Sequence, residues 1–329
     1  MSSSTSEPLV QTASLSLEHG FGSILLTGGL LYSRGKNVLV GNSAADPDAI
    51  PLSALAYGVQ LNNIAFSQSL REYPQFIDFN LNNLYPIGRY VREASYLHAE
   101  KRMSHGVAAY VTYTYSKQLD DYSGPYGVQD YFNRNNDWSL SPGNRPKTLE
   151  VDYTWDLPLG SGGQLLRMGG WCDRFVQGWS LSGSASVFSG TPTELRPLFN
   201  NTGGVVAALQ VNAVPGVNPK VENPGPDLWF NPAAFAQPAD FTLGDLSRTD
   251  PVLRNPMFQN YDLRIEKRLA IDLEKTMELS AVALNFLNHA NWNNPDPVIG
   301  PSFSPNVGAG HIIGSTGGRI IQLMLRFSF

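Results

Sequence analysis

The chain of 329 residues has a single cysteine, Cys172, and few charged residues. One cysteine excludes an internal disulfide and any multi-cysteine zinc or iron–sulfur site. Charged residues make up only 16% of the chain, and 23 basic residues against 28 acidic ones leave no basic surplus to bind nucleic acid. No apolar run exceeds five residues, which excludes a transmembrane helix of about 20 residues. The first residues also lack the basic and apolar regions of a signal peptide.

Apolar and polar residues alternate with a period of two along much of the chain, which is typical of β-strands. In the clearest case Leu149, Val151, Tyr153, Trp155 and Leu157 share one face, opposite Thr148, Glu150, Asp152, Thr154 and Asp156. Such segments predict nine strands, starting near Gln11, Ser23, Arg92, Gly106, Thr148, Phe175, Gln259, Thr276 and Arg319. Residues Phe76–Tyr85 are also strand-like, but we assign them to a long loop. The sequence therefore predicts an all-β, antiparallel protein.

Two architectures have such strands. A soluble sandwich buries the apolar face in its core, whereas a transmembrane barrel turns it to lipid and encloses a wet lumen. The predicted strands are about ten residues long, which is the length that crosses a bilayer. Short links at 19–22, 103–105 and 270–274 alternate with long links at 35–90, 118–145, 190–258 and 287–318. Barrels alternate periplasmic turns and extracellular loops in this way, although the link 156–174 is long and falls on the short side.

The predicted strand count bears on completeness. A bacterial barrel needs an even number of strands, and plugged outer-membrane transporters have 22. Nine strands therefore predict an incomplete, C-terminal part of a 22-stranded type of barrel, without plug or signal peptide. We expect residues 1–9 to form a loop or disordered N-terminus and residues 10–329 to form the barrel part.

Several short segments, in one order, carry a resemblance to a known family. They are Leu70–Phe76, Glu100–Gly106, Tyr113–Lys117, Tyr153–Pro158, Gly178–Gly183, Ser189–Pro192, Trp229–Phe235 and Asn285–His289. In these segments the chain resembles the C-terminal barrel of TonB-dependent outer-membrane transporters, in the Oar-like branch that carries a carboxypeptidase-regulatory-like domain. Its ending, with Leu325, Phe327 and Phe329, is similar to the signal by which barrels are recognised for insertion. Met324 departs from that signal, which prefers a small residue there.

The resemblance implies a non-enzymatic transport protein of the cell outer membrane. Its partners would be outer-membrane lipid, the barrel-assembly machinery, an extracellular ligand of unknown identity, and TonB through a region before this chain. We expect no nucleic acid partner. Two alternatives remain open: a passive porin-like or structural barrel, and a soluble secreted β-sandwich that acts as a binding module.

No sequence motif indicates catalysis, a metal site or a cofactor. Residues 178–183 lack the G-x-S-x-G spacing of a nucleophile elbow, and the five histidines lie in separate segments. Asp120 and Asp121 are interpreted as solvated loop acids.

Two sets of residues are candidates for transport and recognition. Five polar strand residues are predicted to face the lumen: Glu150, Asp152, Asp262, Arg264 and Glu266. They either line a transport path or only keep the lumen hydrated. The loop aromatics Tyr131, Trp138, Trp229, Phe230 and Trp292 either stack on a ligand or pack the loops together.

Overall fold

The computed structural model describes residues 7–41, 45–76, 84–123, 127–161, 163, 165–271 and 275–329. Nine long strands dominate it: β1 (Leu9–Phe21), β2 (Ile24–Val40), β3 (Tyr85–Ser104), β4 (Val107–Asp120), β5 (Lys147–Asp156), β6 (Trp179–Phe188), β7 (Phe258–Ala270), β8 (Thr276–Leu284) and β9 (Ile320–Ser328). Each pairs antiparallel with the next along the chain, so they form one meandering sheet, and the short strand Ser139–Leu140 adds to β4. The predicted all-β antiparallel architecture is confirmed.

All nine predicted strands are present, but some boundaries differ. The sixth strand begins at Trp179 and not near Phe175, because Gly170–Val176 forms a helix before it. The first strand already includes Leu9, inside the expected N-terminal loop. Of the strand-like stretch Phe76–Tyr85, residues 77–83 lie outside the described part, and Tyr85 opens β3.

Short and long connections alternate at the two ends of the sheet, except that the connection 157–178, at the short-turn end, is also long. One end has tight turns, such as His105–Gly106, whose positive φ values of 52° and 76° match a two-residue hairpin turn. The opposite end has four long connections, at residues 41–84, 121–146, 189–257 and 285–319, which we call the loop layer. In an outer-membrane barrel the long connections are extracellular and the short turns periplasmic.

The remaining elements are short. The helices are α1 (Ile64–Ser69) and α2 (Gly170–Val176), with 3₁₀ turns at Leu52–Asn62, Arg134–Asp137 and Pro232–Ala234. Small strands occur at Arg196–Pro197, Asn212–Ala213, Lys220–Gly225, Leu228–Phe230, Phe235–Ala236, Asn291–Trp292, Val298–Ile299 and Ser315–Thr316. Within the described ranges no helix is both long and apolar enough to cross a membrane.

The buried hydrophobic residues lie in the loop layer and not beneath the sheet. Three clusters form there, around Phe230, Ile50 and Val128, and among the described residues of the nine long strands Val40, at the end of β2, is the one buried apolar residue. Strand residues such as Leu17 and Leu323 are 77% and 79% exposed. A sandwich would cover these side chains with a second sheet, so the sandwich alternative is wrong.

The two outer strands of the sheet, β1 and β9, do not pair with each other in the described part of the chain. Each therefore has one edge that is free of strand partners there. In the described residues the sheet is therefore open, which agrees with the prediction of an incomplete barrel.

Candidate functional site

The strand register gathers polar residues into rows that cross the sheet on one face. One row consists of Glu18, Thr27, His98, Thr112, Glu150, Ser186 and Asn260, each the direct partner of the next. In the neighbouring row Ser184 stands between Asp152 and Asp262. The alternation seen within single strands thus becomes a continuous polar face.

The five predicted lumen residues all lie on this polar face. Asp152, Asp262 and Arg264 line one open depression of about 390 Å³. The Arg264 guanidinium donates to the Glu266 carboxylate, while Arg268 lies 3.7 Å from Glu266 and 2.9 Å from Glu278. The arginine side chains of these pairs are 42% and 64% exposed, whereas the two glutamates are only 17% and 19% exposed.

The predicted insertion signal lies on the opposite, apolar face. Leu325 pairs with Leu279 and Phe327 with Met277, so both extend the apolar surface of β8. Leu325, Phe327 and Phe329 are 56%, 55% and 98% exposed. Large apolar side chains exposed in this way suit contact with lipid.

The loop aromatics divide according to their burial. Phe230 is fully buried in the largest loop cluster, so of the two alternatives for this residue the structure has packing between the loops. Trp229 donates its indole N–H to the Arg254 carbonyl at 2.7 Å and meets Trp292 edge-on at 5.9 Å. Trp292 keeps 38% of its surface exposed.

The other two loop aromatics lie in the connection 121–146 and contact residues from β3 and from the end of β2. The Arg89 guanidinium lies 5.5 Å from the ring centre of Trp138, at cation–π distance. Tyr131 packs against the Val128 cluster, and burial raises the pKa of its hydroxyl to about 12. Contacts with other parts of the protein therefore cover much of the Tyr131 and Trp138 side chains, as they cover those of Trp229 and Phe230.

Asp120 and Asp121 are fully buried, which corrects their interpretation as solvated loop acids. Asp121 is held by Arg89 at 2.7 Å and by Arg134 at 3.4 Å. Asp120 is held by Arg248 at 2.5 Å. Buried carboxylates need such partners, because an unpaired charge away from water is very costly.

A buried amide–carboxylate network joins the connections 121–146 and 189–257. The Asp137 carboxylate accepts hydrogen bonds from the backbone N–H of Gln129 at 3.0 Å and from the Gln210 side chain at 2.9 Å. The Gln129 side-chain oxygen accepts from the backbone N–H groups of Gln210 and Gly244 at 2.9 and 3.1 Å. Burial raises the pKa of Asp137 despite these donors. The two connections are thus fixed in one arrangement.

Glu194 lines two cavities in the described part of the loop layer. The smaller, of about 210 Å³, also contains Gln129, Gln210 and Arg248. The larger, of about 640 Å³, also contains Asp296 and His311. Burial raises the pKa of Glu194 to about 7, an effect that Arg248 opposes. This carboxyl changes charge near neutral pH at the junction of the two cavities.

Sequence reasoning missed Glu194, Arg248 and the two glutamines. Each lies in a connection without periodicity, and its partner is far away in the chain; Gln129 and Gln210, for example, are 81 residues apart. The scarcity of charged residues is the one available signal, because it makes each isolated loop charge conspicuous.

Comparison with known proteins agrees with this architecture. A family described as outer membrane beta barrel domain matches residues 1–322. Among solved structures, the chain matches the outer membrane transporter YddB from Escherichia coli at 10% identity and a TM-score of 0.47, with 98% of this chain and 33% of that chain covered. The siderophore receptor PiuA from Acinetobacter baumannii has 10% identity and a TM-score of 0.45, with coverage of 97% and 28%. No curated protein matches.

The long antiparallel strands, the exposed apolar face and the alternating connections define an outer-membrane β-barrel protein. The chain belongs to the outer membrane beta barrel domain family. Its place is the cell outer membrane. It spans about a third of the length of the solved transporters that it matches, 33% for YddB and 28% for PiuA.

Proposed function

We propose that this chain is the barrel part of a TonB-dependent, Oar-like outer-membrane receptor and transporter, and that it is not an enzyme. The ordered segments that resemble this family, from Leu70–Phe76 to Asn285–His289, support the proposal at the level of sequence. The observation that carries it is the loop layer, in which almost all of the chain's buried hydrophobic residues are found.

A passive pore needs strands and a wet lumen, and its loops need not fold into a separate core. Here the Ile50 cluster joins the connections 41–84 and 189–257, and the Phe230 cluster joins 189–257 and 285–319. Hydrogen bonds from Arg248 and Gln210 to Asp137 fix the connection 121–146 to the connection 189–257. A preorganised surface of this kind binds a ligand at lower entropic cost than flexible loops do. It therefore favours a receptor.

In this proposal the ligand is captured at the loop cavities beside Glu194 and then moves along the polar face. The depression lined by Asp152, Asp262 and Arg264 carries charges of both signs, which suits a polar substrate. In the family that the sequence resembles, a plug closes the lumen and TonB supplies the energy for uptake. The barrel-assembly machinery would insert the protein through the ending with Leu325, Phe327 and Phe329.

The proposal is tested with strains that carry or lack the gene of the full protein, each with and without functional TonB. Growth is compared on ferric chelates, oligosaccharides and oligopeptides too large for general porins. We expect a nutrient whose use is lost equally on removing the gene or TonB. If use of the nutrient depends on the gene but not on TonB, and the protein gives steady conductance in planar bilayers, the result would indicate a passive pore instead.

A further inference from the structure

The connection between β5 and β6, residues 157–178, lies at the short-turn end of the sheet and is folded against its apolar face. Lys267 and its direct partner Trp179 are on that face, with the ammonium 5.5 Å from the ring centre. The Lys267 ammonium donates to the carbonyl oxygens of Arg174, at 2.8 Å, and Gln177. Cations stabilise the C-terminal end of a helix, so Lys267 holds α2 against the apolar face of the sheet.

The connection has a defined structure that its own hydrogen bonds stabilise. The buried Asp173 carboxylate accepts from the backbone N–H of Ser161 at 2.7 Å and from its hydroxyl. The indole N–H of Trp179 donates to the carbonyl of Phe175 at 3.0 Å. Gly178 has a positive φ of 74°, and a Cβ there would lie 2.5 Å from the Arg268 carbonyl oxygen. The position of α2 on the sheet is therefore fixed.

The outer surface of this connection is apolar and basic. Five large apolar residues there are between 56% and 73% exposed: Leu165, Leu166, Met168, Trp171 and Phe175. Trp171 and Phe175 are one helical turn apart and meet edge-on at 5.8 Å, so they form one face. The exposed charges of the connection are the cations Arg167 and Arg174, since its one acid, Asp173, is buried.

We propose that residues 165–176, which include α2, form an interfacial anchor that lies among the phospholipid headgroups of the periplasmic leaflet. Three features select lipid as the occupant. The connection lies at the periplasmic end, it continues the lipid-facing surface of β5 and β6, and its free charges are cations that complement anionic phospholipid. Helices with Trp, Phe and Leu on one side and Arg or Lys beside them lie in the membrane interface in this way.

The test uses the full-length protein folded in vesicles of phosphatidylethanolamine with and without phosphatidylglycerol. In a Cys172→Ser background, an environment-sensitive fluorophore is attached at Trp171→Cys or Phe175→Cys. The matched control is Phe303→Cys, whose native side chain is 83% exposed in the loop layer. We expect blue-shifted emission at 171 and 175, with strong quenching by nitroxide-labelled lipid and little by iodide. The label at 303 should show the reverse.

A second variant tests the role of charge. Arg167→Gln with Arg174→Gln should remove the dependence of the nitroxide quenching on phosphatidylglycerol while leaving the heat-modifiable mobility of the folded barrel unchanged. The proposal is overturned if iodide quenches the labels at 171 and 175 as much as the label at 303. It is also overturned if a photo-cross-linker at these positions captures a second copy or a periplasmic protein in place of lipid.

Discussion

Arg248 binds Asp120 across 128 residues of sequence, with 2.5 Å between the guanidinium nitrogen and the carboxylate oxygen and with both side chains buried. Asp120 ends β4, whereas Arg248 lies near the end of the long connection 189–257. The same guanidinium donates to the backbone carbonyls of Asp120 and Asp137, at 2.9 and 3.3 Å. Arg248, which belongs to the connection 189–257, thus joins the end of β4 to the connection 121–146.

Removing this cation should open the loop layer. Arg248→Met leaves Asp120 buried without its charge partner, which costs about 3–5 kcal/mol. We expect faster proteolysis and faster hydrogen exchange in residues 127–146, with strand protection unchanged. The control is Arg102→Met, since Arg102 is 70% exposed and 3.8 Å from Glu100, and such pairs contribute about 0–1 kcal/mol. Equal protection in the two variants would contradict the role of Arg248.

The stability of the loop layer should depend on pH through Glu194. Burial raises its pKa to about 7 from an ordinary value of 4.5, so the closed layer holds this proton more tightly than the opened one. Stability should therefore fall as pH rises from about 4.5 to about 7 and stay low above that range. Glu194→Gln should flatten this part of the pH profile of hydrogen exchange in residues 193–210. An unchanged slope in the variant would assign the dependence to another group.

The two faces of the sheet should respond differently to arginine. Val151→Arg places a charge on the apolar face in the middle of β5 and should cost about 2–4 kcal/mol, the cost of such a charge near the bilayer midplane. Ser184→Arg places the same charge between Asp152 and Asp262 on the polar face, where it should be tolerated. Urea unfolding of the protein in vesicles, followed by tryptophan fluorescence, measures both. Similar losses from the two variants would contradict the face assignment.

The outer strands should not cross-link to each other. An open edge leaves backbone groups unpaired in hydrocarbon, each at a cost of several kcal/mol, so β1 and β9 require other strand partners. In the Cys172→Ser background, Leu15→Cys with Leu325→Cys should give no disulfide in membranes. Val111→Cys with Val151→Cys, which are direct partners on β4 and β5, should give one. Efficient Leu15–Leu325 cross-linking would instead indicate a closed barrel of nine strands.

Much of the sheet could be predicted from sequence, because its signals are local. Alternation with a period of two identifies a strand and both of its faces within about ten residues, as in Thr148–Leu157. Strands joined by short turns must pair as neighbours, and the order of long and short connections separates the two ends of the sheet. The boundary error at Phe175 arose because α2 is too short to show a helical period.

The chemistry of the loop layer was decided by the tertiary structure alone. Asp120 and Asp121 look like solvent-exposed loop acids in the sequence, and Phe230 looks as available as Trp292. Their burial depends on residues from other segments of the chain, such as Arg248, which is 128 residues from Asp120. The sequence by itself determined the strands, their faces and their order, since those follow from neighbouring residues. The burial of particular charges and the raised pKa of Glu194 arise because segments remote in the sequence exclude water from these side chains. No local sequence pattern encodes those contacts.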